Sequence, residues 1–84
     1  MYRKAEGTPH MTMHEAFARY PDNYILMQMD ENIMLNPTGT ILYIGDDDDE
    51  LFSLQVNQPI PRGIVFEGSN LQLRHSLGGI VIGQ

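Results

Sequence analysis

Eighty-four residues bound the chain to one domain, and a domain of that size buries only about 60 % of the surface its unfolded chain exposes, so the core is thin. Without cysteine there is no disulfide or thiolate zinc site to brace it, while 42 % apolar residues exclude wholesale disorder. Beyond residue 10 only Arg19, Arg62 and Arg74 stand against ten acids, a net charge of −7 with no lysine, which leaves no basic surface to displace counterions from phosphates and argues against DNA or RNA binding.

In chain order, residues 1–11 carry Gly7, Pro9 and no periodicity, and read as a flexible lead to a single domain over residues 12–84. They lack the apolar core of a signal peptide, and no run in the chain approaches the length of a membrane span; a cytoplasmic location is expected. Thr12 with Glu15 forms a capping box, and Met13, Ala16, Phe17 and Tyr20 then share one helical face until Pro21 stops the helix. Tyr24 to Met29 reads as a strand with Ile25, Met27 and Met29 on one face and Tyr24, Leu26 and Gln28 on the other. Ile33, Met34 and Leu35 resume the pairing or cover the core, and Asn36-Pro37-Thr38-Gly39 predicts a type I turn, with Gly39 where a left-handed conformation is wanted, that closes an antiparallel hairpin.

The organising stretch is Thr40 to Ile44, five β-favouring residues between Gly39 and Gly45, apolar on both faces and therefore central. After Gly45 come Asp46, Asp47, Asp48, Asp49 and Glu50. Asp47 with Glu50 fits a helix N-cap and its reciprocal partner, and the positive helix end offsets part of the repulsion among five carboxylates. Leu51, Phe52, Leu54 and Val56 are expected to supply that helix's buried side, and Pro59 and Pro61 end it near Val56 or Asn57. Gly63 to Gly68 is a short strand, placed by a right-handed crossover parallel to Ile41 to Ile44. Leu71 to Arg74 reads as a short strand and Gly79 to Gly83 as a closing one. The expected fold is α+β, in the order α-β-β-α-β-β, with a mixed sheet of three to five strands and two helices on one face.

Chemistry is sparse. The acidic run lacks the alternating oxygen ligands of a calcium loop. His10 and His14 are four apart, but the Thr12 cap puts His10 outside the helix. His75 has no orienting acid nearby in sequence, and Arg74 beside it is suited to an anion. A phosphate-cradling reading of Gly78 to Gly83 fails for want of a following helix. No catalytic, cofactor-binding or metal-ligating residue is assigned.

Arg19-Tyr20-Pro21-Asp22-Asn23-Tyr24-Ile25, then Gly39-Thr40-Ile41-Leu42-Tyr43-Ile44-Gly45 and Glu50-Leu51, resemble small uncharacterised bacterial α/β proteins over residues 13–67. The resemblance implies a helix, a hairpin and an acidic helix start, and no activity. The expected function is non-enzymatic, through protein contacts: self-association as a homodimer, or a basic partner, with Asp46 to Glu50 and Ile33, Met34 and Leu35 as contact residues. The alternative is a small-ligand or divalent-cation binder built on the acidic turn with Tyr43 or His75 nearby. No cofactor is expected.

Overall fold

Strand β4 (Thr38–Gly45) has neighbours on both sides. On one side it runs antiparallel to β3 (Tyr24–Met29), with Ile25 opposite Ile44 and Met27 opposite Ile41; a one-residue shift between Leu26 and Met27 leaves Leu42 as the bulged residue. On its other side lie β1 (Tyr2–Lys4) and β2 (His10–Thr12), again antiparallel. Strand β5 (Gly63–Glu67) pairs antiparallel with the far side of β3, Leu26 opposite Val65. Among the described residues, three helices complete an α+β fold: α1 (Met13–Arg19), α2 (Asp48–Asn57) and α3 (Ser69–Ile82). The computed structural model describes residues 1–31 and 35–82, with side chains as far as residue 75.

Alternation along β3 divides the core between two faces. Ile25, Met27 and Met29 join Ala5, Ile41, Ile44 and Ala16 of α1, ringed by half-buried Met11, Phe17, Tyr20 and Phe66. Leu26 points the opposite way, and both it and Leu51 of α2 are fully buried. The helices α1 and α2 therefore cover opposite faces of the sheet rather than one, which is why β3 is apolar on both sides. Met27 and Met29 fill the core, as small irregular interiors favour.

Four further expectations are corrected. The lead is part of the sheet: its strands flank β4 and Ala5 between them is 2 % exposed. Every strand pairing among the described residues is antiparallel, so β5 does not lie parallel to β4; the α2 connection carries the chain across to the free side of β3. Leu71 to Arg74 and Gly79 to Ile82 belong to α3, not to strands. Gly39 sits inside β4 opposite Met11 and Met29 rather than in a left-handed turn, and its value is close approach: a Cβ there stands 2.7 Å from the Gln28 carbonyl oxygen.

The capping predictions hold for α1. Thr12 Oγ1 accepts the Glu15 N–H at 3.1 Å, and Glu15 Oε1 accepts from the Thr12 hydroxyl at 2.9 Å and the Thr12 N–H at 3.2 Å; the hydroxyl bond first, then the backbone one, lowers the Glu15 pKa. At the start of β5, Gln55 Nε2 donates to the carbonyls of Ile60 at 3.0 Å and Gly63 at 3.3 Å, and at its end Gln72 Nε2 donates to the Glu67 carbonyl at 2.6 Å.

Gly68 joins β5 to α3 and lies against the turn that ends α1: a Cβ on it collides with the Tyr20 carbonyl oxygen and stands 2.6 Å from Pro21 backbone atoms. Gly68→Ala is expected to cost roughly 2–3 kcal/mol, read from chemical denaturation. Asp30 ties β2 to β4, accepting from the Thr38 hydroxyl and meeting His10 Nε2 at 2.7 Å. The Thr38 bond first, then His10, lowers its pKa below the ordinary 3.8. A depressed carboxylate stabilises the fold fully above its unfolded pKa and loses that contribution as pH falls through the folded one. Asp30→Asn should remove this part of the acid sensitivity and speed amide exchange at Met11, both measurable by NMR between neutral pH and the aspartate range.

Candidate functional site

The acidic run begins where β4 ends. Asp46 is exposed and accepts from Asn23 Nδ2 at 3.3 Å. Asp47 is the N-cap, extended at φ −138° and ψ 125°, and its Oδ1 accepts the Asp49 N–H at 2.9 Å. Its expected reciprocal partner Glu50 goes elsewhere: Glu50 Oε1 lies 3.1 Å from the N-terminal amine of Met1. The other oxygen, Glu50 Oε2, is buried without a hydrogen-bond partner among the described residues. Asp48 is half-buried and Asp49 exposed.

Asp47, Asp48 and Asp49 bring one carboxylate oxygen each within 4.8 Å of one another. The spacing admits a cation, but the free N–H groups of the first helical turn, and the positive end of the dipole, already balance that charge. Capping accounts for the arrangement.

The apolar residues that follow divide. Leu51 is buried and Leu54 half-buried, whereas Phe52 and Val56, four residues apart and so on one face, are 51 % and 76 % exposed. They were expected inside. Instead they form an apolar ridge on α2 that starts beside Asp48 and Asp49. Of the other expected contact segment, Ile33 and Met34 lie outside the described residues, and Leu35 is fully exposed.

Between this ridge and β5 an open cleft of about 370 Å³ is lined by Tyr24, Asp48, Phe52, Val65, Glu67 and His75, with Phe66 at its margin. The Phe66 ring itself packs edge-on against Phe17 on the opposite face, 5.7 Å between centroids. His75 does have an orienting acid, contrary to the sequence reading: its Nδ1 meets Glu67 Oε2, which α3 brings back over the end of β5. Such a pair can move a proton. The described lining holds no serine, threonine or cysteine for it to activate. Arg74, expected to suit an anion, pairs with Asp22 at 3.4 Å, and Tyr43 faces Tyr2 edge-on at 5.8 Å, away from this cleft.

The sequence reading missed Tyr24, Glu67 and the exposure of Phe52 and Val56. No family model, curated protein or solved structure matches the chain. Its chemistry therefore rests on this geometry.

Burial first, then the carboxylates of Asp48, Glu67 and Asp47, raise the Tyr24 phenol above its ordinary 10.0, with Arg74 opposing. Titration of the Tyr24 ring carbon by NMR should give a midpoint above 10.0, moved down by either Asp48→Asn or Glu67→Gln. A midpoint indifferent to both would mean that these carboxylates do not act on the ring.

Proposed function

We propose that the protein is a small non-enzymatic binding module that acts through protein contacts, with α2 as the contact element and a basic, amphipathic segment as its partner. The observation that carries this reading is the exposure of Phe52 and Val56 on one face of α2, next to the acidic first turn. Adjoining apolar and anionic surfaces complement a segment that is apolar on one side and cationic on the other. Self-association over the same ridge is the weaker version. It would set two copies of the Asp46 to Glu50 run close together, and like charges across an interface oppose association.

Titration of the labelled protein with a lysine- and leucine-containing amphipathic helix should shift the amides of Asp48 to Val56. High ionic strength should weaken the binding, since rim charges are screened, and Val56→Ser should weaken it by about fivefold, the scale of one lost apolar contact. No saturable shifts on α2, or light scattering that gives a salt-insensitive dimer of the free protein, would overturn the basic-partner reading.

A further inference from the structure

The cleft beside the ridge has a composition of its own. A half-buried phenol ring (Tyr24) and a half-exposed phenyl ring (Phe52) stand on its walls with Val65 of β5, and carboxylates enter from two elements, Asp48 from α2 and Glu67 from β5. Glu67 uses Oε2 on His75 Nδ1, which fixes the carboxylate and leaves Oε1 for another donor. Aromatic faces carry negative charge at the ring centre and attract cations, an attraction that strengthens as water is displaced. A neutral apolar ligand would leave Asp48 and the second Glu67 oxygen without a donor, and an anion would meet both carboxylates.

The geometry points to a site for an alkylammonium group, the end of a lysine side chain, held between Tyr24 and Phe52 with its charge against Asp48 and Glu67. The cleft's volume of about 370 Å³ exceeds what one such side chain fills and lies within the range of small-ligand pockets. The raised phenol of Tyr24 agrees with this, because the carboxylates that disfavour its anion are the ones a bound cation would meet. Arg74, the guanidinium that opposes them at Tyr24, spends its charge on Asp22 as well. The inference rests on the basic-partner reading for the source of the ammonium group: it assigns the ridge to the partner's apolar side and the cleft to one of its lysines.

The test uses the full chain and three probes: Nα-acetyl-lysine methylamide, the same compound acetylated at Nε, and a free diamine. The lysine probe should give saturable shifts at Tyr24, Val65 and Glu67, and Nε-acetylation, which removes the charge but keeps the chain, should weaken binding by about tenfold. Glu67→Gln should weaken the lysine probe by about fivefold and Tyr24→Leu by about threefold, with the amide spectrum away from the cleft unchanged. Equal binding of the acetylated probe, or shifts that leave Tyr24 and Glu67 untouched, would overturn the proposal. If the amphipathic peptide still binds α2 while the lysine probe avoids the cleft, the ridge reading stands and the ammonium site falls. If the lysine probe or the diamine fills the cleft while the peptide fails on α2, the site stands as one for a free amine and the partner reading falls.

Discussion

The antiparallel register of β3 on β4 is the constraint on which the rest depends. Ile25 against Ile44 and Met27 against Ile41 give one face of the sheet its core, and the intervening Leu26 gives the other face its own. Because β3 is apolar on both sides, neither face is stable until a helix covers it. One residue of slippage would exchange the two sets. The bulge at Leu42 absorbs a mismatch that would otherwise move Ile41 off its face, so the register is held at both ends of the hairpin and relaxed in the middle. Once β3 is placed, β5 has an apolar edge to join, and the α2 connection must pass over the Leu26 face to reach it.

What was legible in the sequence was local. The capping box at Thr12 and Glu15, the stop at Pro21, the alternation of β3 and the β-favouring run Thr40 to Ile44 within β4 are short-range features whose physics lies within a few residues. Pairing partners were not legible. A strand, a helix and a strand in succession read as a parallel crossover, yet β5 bypassed β4 because β1 and β2 already occupied its open side. The lead looked unstructured because strands of three residues are too short to show a period. Residues 79–82 misled by composition: glycine with β-branched residues favours a strand, while tertiary context placed them in a helix.

The candidate site was half legible for a geometric reason. At about 100° per residue, Leu51, Phe52, Leu54 and Val56 span roughly 200° of the helix circumference, wider than the stripe a helix can bury against one sheet face. Something apolar on α2 had to stay in solvent, and that conclusion was available from spacing alone. Which pair stayed out depended on the lateral position of α2, set by Leu51 against the sheet. The Glu67 and His75 contact was hidden more deeply, because it joins a strand end to the first turns of a helix that composition had not revealed.

Strand β5 ends the sheet, and its outward backbone groups bear on how the protein behaves when concentrated. Met29 bonds to the Arg62 carbonyl and Gly68 to the Asn23 carbonyl, so residues 62, 64, 66 and 68 address β3 while Gly63, Val65 and Glu67 turn outward. The Gly63 N–H goes to the Ile60 carbonyl, the Gly63 carbonyl to Gln55 and the Glu67 carbonyl to Gln72. Among the described residues that leaves Val65 and the Glu67 N–H to offer a foreign strand, too few rungs to template a ladder. Two glutamine side chains thus protect an apolar edge from end-to-end growth into fibrils, a task that natural sheets more often give to lysine or proline, and this chain has no lysine beyond residue 10 to spend on it.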